Sequence, residues 1–116
     1  MHELSIAESI TEVVVKSCEE AGVTTVTAIT LEIGRLSGIE VEALKFALDI
    51  TLKSGPAENA KVHFEMISGI GTCEACGKES PMDDLFSLCK HCGSYMIHLT
   101  QGQELKIKKI EVIDEK

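Results

Sequence analysis

The stretch TCEACGKESPMDDLFSLCKHCGS holds two C-x-x-C pairs, Cys73/Cys76 and Cys89/Cys92, each followed by a glycine, Gly77 or Gly93. Two residues between thiolates let one tight turn aim both sulfurs at a single ion. The glycine supplies a positive φ that lets backbone N–H groups approach those sulfurs. Four thiolates around one ion make the arrangement of structural zinc, which is tetrahedral and leaves no coordination position for a substrate. The pattern therefore predicts Zn(II) held by Cys73, Cys76, Cys89 and Cys92. The metal would organise about 30 residues whose large apolar groups, Met82, Leu85, Phe86 and Leu88, are too few to fold alone. Iron in a rubredoxin-like site is the minor alternative. Two redox pairs fit less well, because thioredoxin-type motifs follow a strand of a larger βαβ sheet.

Other chemistry-bearing residues are scattered. His91 sits inside the second knuckle, as an exposed turn residue or as a spare ligand able to replace a protonated cysteine. His98 lies in YMIHLT, just past the knuckles, and reads as a half-exposed strand residue. His63 pairs naturally with Glu65 or with solvent. Cys18 stands alone in a helical pattern and reads as a small buried core residue. No nucleophile with a neighbouring base and no phosphate loop can be picked out, so the sequence does not read as an enzyme.

The elements that must position these residues follow from periodicity. Leu4, Ala7, Ile10, Val14, Cys18 and Ala21 recur at helical spacing, with Ser5 and Glu8 as a capping box and Gly22 as a stop. VTAITLEIG is a strand ending at Gly34. LSGIEVEALKFALDITLKSGP is a second helix, with Ser37 and Glu40 as its capping box, Val41, Leu44, Leu48 and Leu52 as its buried stripe, and Gly55-Pro56 as its end. KVHFEMI is a second strand, with Val62, Phe64 and Met66 on one face. ELKIKKIEVI is a third, and the slip in its apolar phase predicts a bulge or twist near Lys108-Lys109. Strand, helix, strand implies a right-handed βαβ crossover. The fold class expected is α+β: a two-layer arrangement of two helices on a small mixed three-stranded sheet, with an inserted zinc-ribbon-like subdomain. Residues 1–69 and 101–116 form the α/β domain, and residues 70–100 the zinc-binding ribbon.

Composition narrows the partners. Nineteen acids against eleven bases give a net charge of −8, opposite to the basic surface of a nucleic-acid binder. Aromatics are 3% with no Trp, which leaves no platform for stacking bases. No apolar run approaches the ~20 residues of a membrane span. The first residues do not read as an export signal, so the cytoplasm is the expected compartment. Five cysteines in that setting point to thiols or metal rather than disulfides.

Four segments in order, MHELSIAESI, IGRLSGIEVEALKFALD, CEACG…CKHCG and TQGQELKIKKIEV, resemble the HypA/HybF family of hydrogenase maturation nickel metallochaperones. The resemblance spans essentially the whole chain. One departure is Lys90, where the family often has proline; it leaves the zinc expectation intact. The resemblance implies a Ni(II) site at the N-terminus. Histidine is bulky, so Met1 should be retained. Its α-amine, the amide nitrogen of His2 and the His2 imidazole can then close fused chelate rings. The amide nitrogen of Glu3 or the imidazole of His98 would fill the fourth position. Four nitrogens in a plane suit Ni(II), and also Cu(II). Glu40 matches an acid the family places near the start of the second helix. The resemblance further implies two partners, a HypB-type GTPase and the hydrogenase large-subunit precursor. It leaves open a homodimer and urease as a second client. The rival expectation is a zinc-ribbon interaction adaptor with no role in metal delivery.

Overall fold

The computed structural model describes residues 2–113. In chain order the elements are α1 (Glu3–Ala21), β1 (Thr25–Gly34), α2 (Val41–Thr51), β2 (Lys61–Ile67), β3 (Ile70–Cys73), β4 (Glu79–Pro81), β5 (Ile97–Gln101) and β6 (Leu105–Ile113). They form two three-stranded sheets, one ordered β2-β1-β6 and the other β4-β3-β5. The chain divides into two compact units.

The first unit comprises the described residues of Met1–Leu31, Ile39–Phe64 and Ile107–Lys116. α1 buries Ala7, Ile10, Val14 and Cys18, and α2 buries Leu44, Ala47 and Leu48. The two helices are pinned side by side where the Thr11 hydroxyl donates to the Ala7 carbonyl and meets the Thr51 hydroxyl, both at 2.8 Å. β1 is the central strand of its sheet. Val26, Ala28, Ile29, Thr30, Leu31 and Ile33 along it are all buried, and because successive residues point to opposite faces, both faces are covered. Burial of both neighbouring positions overrides the alternation expected for a half-solvated strand. The Gly34 amide bonds the Glu104 carbonyl at 2.8 Å, and the Thr27 hydroxyl bonds the Glu111 carbonyl at 3.2 Å. One partner descends in number as the other rises, so β6 runs antiparallel to β1.

Both helix starts differ from expectation. α1 begins at Glu3 with His2 as its N-cap and no side-chain cap bond, so the Ser5/Glu8 box does not form. Gly34 to Ser37 instead form a turn ahead of α2, closed by the Ser37 amide on the Gly34 carbonyl at 3.1 Å. The N-cap of α2 is Glu40, whose own carboxylate accepts from the Glu42 amide at 3.3 Å. α2 also stops early, at Thr51 with Leu52 as C-cap. Leu4 was expected in the buried stripe and is exposed, as is Met66 on β2.

The second unit comprises Glu32–Gly38 and Glu65–Lys106. Its sheet is antiparallel, with Thr72 opposite Glu79 on one side and opposite His98 on the other. Met82 is buried and its amide bonds the Gly69 carbonyl at 2.9 Å. Its sulfur lies over Gly71, where a Cβ would collide with it. The segment from Glu32 is stitched in by backbone bonds from Arg35 to Ile67 at 2.8 Å and from Leu36 to Gly102 at 2.7 Å. Among the described residues, no helix is long and apolar enough to cross a membrane.

Candidate metal centre

β3 ends on Cys73, and the chain turns at once into the first knuckle. The Gly77 amide closes that turn on the Cys73 carbonyl at 2.8 Å, and the Cys73 amide bonds the Lys78 carbonyl at 3.0 Å. The second knuckle repeats the pattern. The Gly93 amide bonds the Cys89 carbonyl at 2.8 Å, and the Cys89 amide bonds the Ser94 carbonyl at 2.9 Å. Gly77 and Gly93 adopt φ of 76° and 75°, a region closed to most side chains. Each CxxCG is thus the same small turn, built twice and brought face to face.

The four sulfurs lie within 4.8 Å of one another. The Cys73 and Cys92 sulfurs are 3.6 Å apart and those of Cys76 and Cys89 3.7 Å. A tetrahedral ion with metal–sulfur bonds of ~2.3 Å needs sulfur–sulfur edges of roughly 3.8 Å. All four are free thiols, too far apart for a disulfide bond of ~2.05 Å. The donor set and its spacing therefore fit zinc.

Electrostatics point the same way. Amides of Cys92 and His91 aim at the Cys89 sulfur and draw its thiol down to about 6. Cys92 behaves oppositely. The Ser94 amide favours its thiolate, but the Cys73 sulfur, burial and the sulfurs of Cys89 and Cys76 outweigh it and push the thiol up to about 12. The cluster thus favours the thiolate at Cys89 and disfavours it at Cys92. Only a cation lets four thiolates share this space.

His91 lies beside this centre. Its imidazole Nε2 is 3.0 Å from the Glu79 carbonyl oxygen, and its amide bonds the Cys89 sulfur at 3.4 Å. It is an exposed knuckle residue that ties the second turn to β4. On β5, the His98 Nε2 is 2.9 Å from Glu74 Oε1, so this imidazole is anchored to a residue inside the first knuckle.

The N-terminal residues belong to the first unit. Met1 lies outside the described residues. His2 is exposed and caps α1, its carbonyl accepting from the Ile6 amide at 3.1 Å. The amides of a first helical turn have no carbonyl one turn earlier to bond. Glu3 Oε2 accepts from the Glu40 amide at 3.1 Å. That amide and the amide of Glu3 itself hold the Glu3 carboxyl below the ordinary carboxylate value. Glu3 and Glu40, far apart in sequence, thus meet at the starts of α1 and α2.

A family model described as hydrogenase/urease nickel incorporation, metallochaperone, matches residues 1–112. The chain belongs to the HypA family. A hydrogenase maturation factor HypA of Parabacteroides distasonis is 45% identical over 112 residues, covering 97% of each chain. One from Chlorobaculum parvum is 37% identical over 112 residues, covering 97% of this chain and 99% of its own. The solution structure of the Ni metallochaperone HypA from Helicobacter pylori superposes with a TM-score of 0.71 at 19% identity, covering 99% of this chain and all of that one. A second HypA solution structure gives 0.75 at 18% identity. At those identities the likeness is one of fold.

Two contacts of this HypA chain were not foreseen. The Glu3–Glu40 link needs two helix starts to meet in space, for which a single sequence carries no signal. The His98–Glu74 pair depends on strand register and knuckle geometry together. Each residue was singled out or lies beside one that was, but its partner was invisible.

Proposed function

We propose that this chain carries Ni(II) as cargo on its first residues and delivers it to the hydrogenase large-subunit precursor, with a HypB-type GTPase as co-worker in the cytoplasm. Zn(II) on Cys73, Cys76, Cys89 and Cys92 is structural, and the chain is not itself an enzyme. The observation that carries the reading is the start of α1, where an exposed His2 immediately precedes the helix and Glu3 is moored to Glu40.

The ligands are the α-amine of Met1, the amide nitrogen and the imidazole of His2, and a fourth nitrogen from the Glu3 amide or the His98 imidazole. Binding displaces the amide protons, so nickel affinity rises with pH. Glu40 adds negative charge near the cation. An exposed site with few fixed ligands suits a carrier, which must give its ion up.

Nickel titration of protein with a native start, of His2→Ala, and of protein with one residue added before Met1 tests this. The native chain binds tightly and both variants lose that binding with the fold unchanged. Cu(II) competes and binds more tightly. Equal nickel affinity in all three would move the site elsewhere and leave the zinc-ribbon adaptor as the better reading.

A further inference from the structure

The loop between β4 and the second knuckle is tied by hydrogen bonds within itself and still exposes its large apolar groups. Its polar groups turn back on its own backbone. The Ser87 hydroxyl accepts from the amides of Asp83 and Asp84 at 3.0 and 3.2 Å. Asp84 Oδ1 accepts from the Phe86 amide at 2.7 Å. The Ser87 amide closes on the Asp84 carbonyl at 3.3 Å. The apolar groups face out, with Leu85 and Leu88 each 55% exposed and Phe86 89% exposed. Both ends are fixed, by buried Met82 and by buried Cys89. A cluster of large apolar groups this exposed is the informative feature of the loop, and Asp83 and Asp84 are exposed beside it. These hydrogen bonds fix the backbone that carries Phe86, which lowers the ordering cost of inserting it into a partner.

We infer that Phe86, flanked by Leu85 and Leu88, docks into an apolar pocket bordered by Lys or Arg on the protein that receives the nickel. Charge selects the occupant. Asp83 and Asp84 immediately precede Leu85 and Phe86 in the chain, and no base lies between residues 79 and 88. The nearest base, Lys90, is paired with Asp83 at 3.5 Å. A second copy of this chain would bring the same acids and the same net charge of −8, and an anionic lipid surface would be repelled likewise. The inference rests on the carrier reading above. A metal donor must touch its acceptor, whereas no step of metal transfer by itself requires another protein.

The test uses full-length, zinc-replete protein and purified hydrogenase large-subunit precursor as the probe. Binding is measured for wild type, Phe86→Ala and, as a control, Phe46→Ala, which removes an exposed aromatic from α2. Phe86→Ala weakens binding about tenfold or more, and Phe46→Ala leaves it unchanged. Zinc content and nickel affinity stay at wild-type values in both, and wild-type binding weakens with added salt. The docking proposal is overturned by unchanged binding of Phe86→Ala, or by a loss that follows zinc loss. It is equally overturned if Phe86 governs only binding to the GTPase, self-association in sedimentation, or binding to phosphatidylglycerol vesicles. Wild-type protein that binds nickel but not the precursor overturns docking and leaves the carrier reading standing. Protein that binds the precursor through Phe86 but takes up no nickel does the reverse.

Discussion

The Glu3 carboxylate and the Glu40 amide are joined by a 3.1 Å hydrogen bond, so the first residue of α1 is moored to the N-cap of α2. The acceptor sits where α2 presents the positive end of its dipole, which favours a negative partner. Glu40 meanwhile spends its own carboxylate on the Glu42 amide. Two carboxylates therefore serve one helix start, one from within the helix and one from its neighbour.

The sign of the Glu3 shift sets a pH response. The folded carboxyl lies below its ordinary value of 4.5, so the bond's contribution is complete above that value and is lost as pH falls through the depressed folded value. The Glu40 amide resonance should follow Glu3 in an acid titration, with a midpoint below 4.5. Glu3→Gln should abolish that titration while keeping an oxygen acceptor for the amide. A Glu40 amide that stays put through the Glu3 titration sinks the assignment.

The knuckles give a second expectation. Metal analysis should find one zinc per chain, and Cys→Ser at Cys73, Cys76, Cys89 or Cys92 should release it. Amide signals from β3 to β5 should then collapse while those around Ala7, Val14 and Leu44 persist, because the two groups of residues belong to different compact units. Loss of both sets together would show that the zinc also supports the helical layer.

On α2, neighbouring positions should behave oppositely. Leu44 is fully buried and Phe46 is 68% exposed. Leu44→Ala should cost about 2–5 kcal/mol of unfolding free energy, whereas Phe46→Ala should stay within about 0.5 kcal/mol. Denaturant unfolding monitored by helical circular dichroism separates the two. Equal effects would mean that this face of α2 is misassigned.

Gly34 should tolerate no side chain. A Cβ there would overlap the Gly102 carbonyl and the Gln103 nitrogen, all of it backbone that cannot swing aside. Gly34→Ala should destabilise by at least about 1–3 kcal/mol, read as a lowered denaturation midpoint. A wild-type midpoint would show that this close approach is not kept in solution.

These cases show where sequence stops speaking. The CxxCG turns were legible because ligand spacing, glycine and turn geometry are all local. Helix type was legible because Ala7, Ile10, Val14 and Cys18 recur at helical spacing. Cap positions were not. Ser5 and Ser37 both had good capping chemistry, yet α1 starts at Glu3 and α2 at Val41. The Ser37 segment is drawn instead into backbone bonds with the chain entering and leaving the knuckles. β1 was legible as a strand, but nothing in its sequence showed that the polar Thr30 would be buried. Burial on both faces depends on what packs against the strand, which the strand's own residues do not encode.

Cys18 is 4% exposed inside α1, and burial, with Glu19 beside it, raises its thiol above the ordinary value. The other four thiols all gather at the knuckles. The molecule therefore carries two reporters of one chemical kind that answer different questions. An alkylating reagent added with a chelator reads the departure of metal in a fast phase of four sulfurs. The fifth answers only when the helical layer opens, so its lag times the life of the core after the metal has gone.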